Sequence, residues 1–454
     1  MSHDFARSRR VAPLKPQPSP RTRCPLPPRP NNPITPMKLL SLIAATLAAT
    51  APLQAADFAL HDGDTVAFLG DSITAARGYT KIVEHYTLMR FPDRRVRFIN
   101  AGQGGDTAHG CLERLERDVF SKGATVLTVA FGINDIGWGT KADDAHRQLY
   151  LDGIREIIGR SRKRGIRVFI CSPAITAEAP DTAEKGYLQG MVDEGMALAR
   201  SLGAGSIDLT RGMREIQRRV VAANEGEKDP KKQTRLHVED GVHLNDLGQL
   251  AMGYSLLRGL GAPAEVSSVT IDAAALHTEA ADNCTVSRLT RLSDGLAFVR
   301  HDRGLPLNLG IFGALNHRWI PIPETLNEYR LRVTGLPPGE YEIRAEGRLL
   351  GKYAADRLAR GENIASATSN GWEPGGPWDA QSDAVRELVD ARDRAWGGEH
   401  FRLQFNRDNP ASTAIERQAR AADAALVALA RSTAKPYPYR FEIRKAPATA
   451  APAR

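Results

Sequence analysis

The sequence predicts an α/β chain: a doubly wound, mostly parallel five-stranded sheet, followed by a smaller β-rich region with a helical insertion. Three observations carry this. Short apolar runs alternate with amphipathic helical patterns from Thr65 to about Gly261, the signature of parallel strands covered on both faces. Glycine and small polar residues follow the strand candidates, as strand-to-helix turns require. Beyond Ala262 the period changes to the two-residue alternation of half-buried strands.

The first strand is Val66-Ala67-Phe68-Leu69, and Gly70 permits the sharp turn that leaves it. Asp71 and Ser72 are good helix-starting residues, and a helix is expected over Gly78 to Arg90. Val96 to Ile99 is the second strand, Cys111 to Phe120 a short helix, and Val126 to Ala130 the third strand. Ala142 to Arg164 reads as a long helix, Val168 to Ile170 as the fourth strand and Ala183 to Leu202 as a helix. Ser206 to Leu209 is the fifth strand and Met213 to Ala223 a helix. Asn245 caps a last helix with Leu247, Leu250, Ala251, Tyr254 and Leu257 on one face.

Four segments then gather at the carboxyl edge of one sheet, where open α/β folds hold ligands. They are Gly70-Asp71-Ser72-Ile73, Asn100 to Thr107, Gly132-Ile133-Asn134-Asp135 and Asp240-Gly241-Val242-His243. Each alone reads as a turn or cap. Together they supply what acyl transfer needs: a nucleophile (Ser72), a base (His243), a carboxylate to orient it (Asp240) and oxyanion donors. The donors are the Ser72 and Gly105 backbone N–H groups and the Asn134 side chain. Asp71 and Trp138 are the candidate substrate contacts. Asp71 also braces the turn, and Trp138 either lines the cleft or packs. His85 reads as a surface or packing histidine, and Asp106 and Asp135 as local caps.

The four segments resemble, in order, the sequence blocks of the SGNH (GDSL-type) hydrolases. The resemblance implies a three-layer, flavodoxin-like fold. It implies a Ser72–Asp240–His243 triad and an oxyanion hole from Ser72, Gly105 and Asn134. Ile73 stands where the name-giving motif has Leu. Gly105 is preferred over Gly102 and Gly104 because Gly-Asp-Thr is the family's usual continuation. There is no GxSxG elbow, and Thr107 breaks any GxGxxG fingerprint.

The net charge of +8 is local. Residues 1–36 hold seven Arg and Lys, from Arg7 to Arg29, against Asp4 alone, and are proline-rich. They are expected to be a disordered leader, dispensable or untranslated. Met37-Lys38, the apolar run Leu39 to Leu53 and the exit Gln54-Ala55-Ala56 form a signal peptide over 37–56. Translation is expected to start at Met37, with cleavage near Ala55-Ala56 and an exported mature chain. Without the leader and Lys38 the charge is +1, so no nucleic-acid partner is expected. No membrane span is expected in the mature chain. Cys111, Cys171 and Cys284 form no disulfide framework, and no CxxC or HExxH occurs. No metal and no cofactor are expected.

The catalytic domain is placed at 57–262 and the accessory region at 263–454. In the latter, Val269 to Ile271, Leu296 to Val299 and Phe441 to Ile443 read as strands. Tyr329 to Val333 and Tyr341 to Arg344 flank Leu336-Pro337-Pro338-Gly339, a hairpin signal. The helical insertion spans about 378–432, and 446–454 is expected to fray. Trp372, Trp378 and Trp396 are read as anchors of the insertion, with stacking on sugar rings as the alternative. The expected activity is removal of a short acyl group, most plainly acetyl, from a carbohydrate or other small ester. The polar flank Arg77, Tyr79, Lys81 and Glu84 is part of that reading. The rivals are a lysophospholipase or thioesterase, and a non-catalytic glycan-binding protein.

Overall fold

The computed structural model describes residues 58–370, 372, 373, 375–404 and 410–447. The leader, the signal peptide and its cleavage site lie outside these residues, as do 448–454.

Strands β1 (Thr65–Gly70), β2 (Arg97–Gly102), β3 (Val126–Ala130), β4 (Arg167–Cys171) and β5 (Gly205–Ile207) form one parallel sheet, ordered β2-β1-β3-β4-β5. Every residue of β1 is buried, because helices cover both faces. Val66 and Phe68 point to the face packed by helices Gly78–Arg90, Leu209–Asn224 and Asp246–Gly259. Ala67 and Leu69 point to the other, packed by Asp144–Arg162 and Tyr187–Ser201. The chain leaves β1 toward β2 and returns to β3 on the opposite side. A crevice therefore opens at the carboxyl ends of β1 and β3.

The differences from the expected elements have local causes. The Cys111–Phe120 helix breaks into two 3₁₀ turns around Leu115–Asp118. The Ala183–Leu202 helix divides into Pro180–Ala183 and Tyr187–Ser201, with Gly186 between. Leu209 opens a helix instead of ending β5, because the Asp208 side chain accepts from Arg211 N–H and caps it.

Among its described residues the C-terminal region has nine strands: β6 (Glu265–Asp272), β7 (His277–Asp282), β8 (Cys284–Leu292), β9 (Gly295–Asp302), β10 (Glu328–Thr334), β11 (Glu340–Ala345), β12 (Arg348–Ala354), β13 (Glu362–Asn363) and β14 (Tyr439–Lys445). They form two sheets, β13-β10-β6-β7 and β12-β11-β14-β9-β8, antiparallel except for the β6–β10 pair. Leu331, Val333, Ile343, Phe441 and Trp378 share the core of this region. The expected hairpin at Leu336 to Gly339 does not form, since β10 and β11 belong to different sheets. Each presents an apolar face to the common core and pairs elsewhere. The tight turn is at Glu346-Gly347, whose φ values of 49° and 78° join β11 to β12.

Helices Pro377–Gln404 and Pro410–Thr433 pair with each other, and the first lies on helix Gly78–Arg90. This occupies the expected polar flank. Arg77 meets Asp393 at 2.8 Å, Lys81 meets Asp390 at 2.7 Å and Glu84 meets Arg392 at 2.6 Å. Tyr79 is buried. The flank is a docking face for the hairpin, its charges already paired, rather than the open substrate surface expected. His85 is buried in the same contact, its Nε2 hydrogen-bonded to Ser382. It packs, and the surface reading fails.

Candidate active site

Gly70 and Gly102 let two backbones approach closely. A Cβ on Gly70 would sit 2.1 Å from Thr74 Oγ1, and one on Gly102 2.2 Å from Ala75 N. Asp71 Oδ1 accepts from Ile73 N–H at 2.9 Å and caps the turn Ser72–Ala75. Burial pushes its carboxyl up to about 6. At 4% exposure it braces the turn and shows substrate no surface, contrary to the expected contact.

Ser72 Oγ lies 2.8 Å from His243 Nε2, although 171 residues separate them. His243 Nδ1 lies 2.6 Å from Asp240 Oδ2. With Nδ1–H donating to the carboxylate, Nε2 is left to accept from the serine hydroxyl. Asp240 Oδ1 also accepts from the backbone N–H of Val242 and of His243, both at 2.8 Å. The His243 hydrogen bond, with these two, holds its carboxyl at about 2. Gly241 adopts φ 71°, and its carbonyl accepts from Ala177 N–H at 2.8 Å, so the loop is pinned.

Asn134 follows β3. Its Nδ2 donates to Asp106 O at 3.1 Å, and its Oδ1 accepts from Trp138 Nε1–H at 2.8 Å. One Nδ2 hydrogen is left over. Gly105 has φ 75°, a conformation glycine adopts without strain. Among the described hydrogen bonds, neither Ser72 N–H nor Gly105 N–H donates to another group. Trp138 is half-exposed and sets its ring edge-on to His243, with centroids 5.6 Å apart. Both roles weighed for it hold in part, since it borders the cleft and packs on the histidine.

Arg114 is the residue that sequence reasoning missed. It is buried, its Nε donates to Asp106 Oδ2 at 2.6 Å, and Nη1 donates to Ala101 O at 2.7 Å. Nη2 donates to Gly70 O at 3.2 Å. One guanidinium therefore ties the ends of β1 and β2 to the Gly105–Asp106 loop. Asp135 accepts from Ala108 N–H at 2.9 Å, and burial pushes its carboxyl up to about 7. Trp378 is fully buried, and its Nε1 donates to Ala365 O at 2.9 Å, so it anchors the insertion. Trp372 stands exposed, and the side chain of Trp396 lies outside the described residues.

A serine, histidine and carboxylate linked in this order at the carboxyl edge of a parallel sheet make a serine hydrolase site. Residues 68–251 match the GDSL-like lipase/acylhydrolase (SGNH) family, hydrolases of carboxylic ester bonds. No curated protein matches the chain. The fold is shared with a gut microbial diltiazem-metabolizing enzyme, at TM-score 0.73 and 22% identity, covering 85% of this chain and 98% of that one. Two shorter structures align with part of the chain. One is an α/β hydrolase from the metagenome of Lake Arreo, Spain, with TM-score 0.37 and 20% identity over 45% of this chain and 98% of its own. The other is an acetylxylan esterase from Geobacillus stearothermophilus, with TM-score 0.37 and 19% identity over 44% and 95%.

Proposed function

We propose that the protein is an exported serine esterase that removes a short acyl group from a carbohydrate through an acyl-enzyme. The observation that carries the catalytic part is the unbroken chain Ser72 Oγ, His243 Nε2, His243 Nδ1, Asp240 Oδ2 at 2.8 and 2.6 Å. Ser72 Oγ attacks the ester carbonyl while His243 takes its proton. Asp240 stabilises the imidazolium so formed. The tetrahedral oxyanion receives Ser72 N–H, Gly105 N–H and the free Nδ2 hydrogen of Asn134. His243 then returns the proton to the departing alcohol. A water molecule, deprotonated by His243, releases the acid by the same steps.

Two features support a carbohydrate ester. The side chains of His243 and Asp240 are 35% and 36% exposed, so a bulky alcohol can reach the serine from solvent. The half-exposed Trp138 indole beside His243 offers an apolar face to a sugar ring. A second reading, an acylhydrolase for longer chains, is favoured by one observation. A cavity of about 350 Å³ adjoins Trp138 and Val242, with Ile133, Ile136, Leu188 and Val192 in its wall. Hydrolysis rates for 4-nitrophenyl acetate, butyrate and octanoate separate the two. Acetate fastest supports the first reading and octanoate fastest the second. No turnover above a Ser72→Ala background rules out both.

A further inference from the structure

Beside the catalytic crevice lies a second cavity, of about 610 Å³. One wall is the outer edge of β2 with its following loop, from Arg97 to Gly104, and the other is helix Pro410–Thr433 with Arg392, whose Nη2 donates to Phe98 O at 2.8 Å. Ala75, three residues past Ser72, lines it, as do Gln103 and Gly104, which precede the Gly105 N–H.

Its charge is one-sided. Arg77, Arg97, Lys122, Arg392, Arg420 and Arg431 line it with Asp118 and Asp423, and three of these cations are held by carboxylates: Arg77 by Asp393, Arg392 by Glu84 and Asp423, and Arg420 by Glu416. Both carboxylates are already engaged, Asp118 by Arg117 at 2.6 Å and Arg114 at 3.3 Å, Asp423 by Arg392 at 2.6 Å. Among the described residues, none brings a carboxylate within ion-pair distance of Arg97, Lys122 or Arg431. Burial and the neighbouring Arg420 hold the Lys122 amine below its usual range. Burial and Arg392 do the same to Arg431. Arg97, Lys122 and Arg431, from separate elements, therefore leave positive charge on the cavity wall that an anion can offset.

We propose that this cavity binds the acidic part of the ester substrate, a carboxylate-bearing oligosaccharide of the uronate type whose O-acyl group reaches Ser72. The proposal rests on the esterase reading of Ser72. Arg97 comes from β2, Lys122 from the turn that follows Leu115–Asp118, and Arg431 from the helical hairpin. Charges spread over three elements suit carboxylates spaced along an oligomer, whereas a single phosphate is gripped by convergent donors. The volume lies in the range of small-ligand sites, about 300–1,000 Å³. On this account the C-terminal region supplies one wall of the substrate site and so sets its charge preference.

The test compares O-acetylated oligogalacturonate with O-acetylated xylo-oligosaccharide. The wild-type protein should favour the acidic ester by about tenfold or more in kcat/KM, an effect of the size of one charge-assisted hydrogen bond. Raising NaCl from about 20 mM to about 500 mM should shrink that ratio through KM, because salt screens the attraction. Arg97→Glu with Lys122→Glu should lower the ratio by at least about tenfold, chiefly through KM. Equal kcat/KM for the two esters, or a preference that survives the charge reversal, overturns the proposal. If 4-nitrophenyl acetate is cleaved but no acidic preference appears, the esterase reading stands and this inference falls. If no ester is cleaved, calorimetric titration of the protein with unacetylated oligogalacturonate still decides the cavity. Binding weakened by the charge reversal supports it, and no binding overturns it.

Discussion

Trp138 Nε1 donates to Asn134 Oδ1 at 2.8 Å. An indole N–H can only donate, so the carbonyl end of the amide must face it. Nδ2 is thereby turned toward Asp106 O and the open crevice. Trp138 reaches this position from a left-handed backbone, φ 57° and ψ 32°, held by its N–H on Ile133 O at 3.0 Å.

Trp138→Phe keeps the ring edge against His243 and removes the donor. The kcat on 4-nitrophenyl acetate should fall about five- to tenfold with KM within about twofold, the cost of one neutral hydrogen bond. A role in packing alone predicts a lower melting temperature and unchanged kcat. Steady-state kinetics beside a thermal melt tells these apart.

Asn134→Ala removes the donor itself. The oxyanion exists only in the transition state and intermediate, so the loss falls on kcat. It should be about 10²- to 10³-fold, the usual effect of one oxyanion donor. A variant that melts early but turns over normally would make Asn134 a structural residue.

Ser72→Ala deletes only Oγ and should leave the melting temperature near that of the wild type. The kcat should drop by roughly 10⁴ to 10⁶. Activity within about tenfold of wild type would remove Ser72 as nucleophile.

His85 sets a pH window for stability. Burial holds its pKa at about 4, against 6.5 for the free side chain. As pH falls from 6.5 to about 4, the unfolded chain takes up a proton that the folded protein refuses. Stability contributed by the neutral imidazole is full above this window and is lost as pH falls through it, by roughly 3 kcal/mol at most. His85→Gln cannot titrate, so its urea midpoint should shift less between about pH 7.5 and pH 4.5. Equal shifts in the two proteins would contradict the prediction.

Export is checked by mass. The secreted protein should begin at Ala56 or Asp57, whether or not residues 1–36 are encoded. A mature chain that retains Arg7 to Arg29 would refute the leader reading.

The parts of the site legible in the sequence are those fixed by local backbone chemistry. Gly70 ending a buried run, Asn134 after β3 and Asp240 three residues before His243 each announce a strand end or loop. What stayed hidden depends on partners far along the chain. Arg77, Lys81 and Glu84 look like a solvated flank because Asp393, Asp390 and Arg392 lie about 310 residues away. Arg114 has no motif, and its value comes from four acceptors that fold to meet it. Glu113, Glu116, Arg117 and Asp118 surround it in sequence, so nothing local sets it apart. Leu336-Pro337-Pro338-Gly339 has hairpin chemistry, yet the faces of β10 and β11 demand different sheets. Local turn preference lost there to burial.

The last strand, β14, lies at the centre of its sheet, with β11 on one side and β9 on the other. A ribosome delivers the chain from its N-terminus, so the five parallel strands emerge with all their neighbours long before Tyr439. The second sheet cannot close until the residues through Lys445 have left the exit tunnel. Until then β9 and β11 present unpaired edges that invite other chains. Premature termination before Tyr439 should therefore yield aggregates rather than a shortened enzyme, even though every residue of the catalytic crevice has been made.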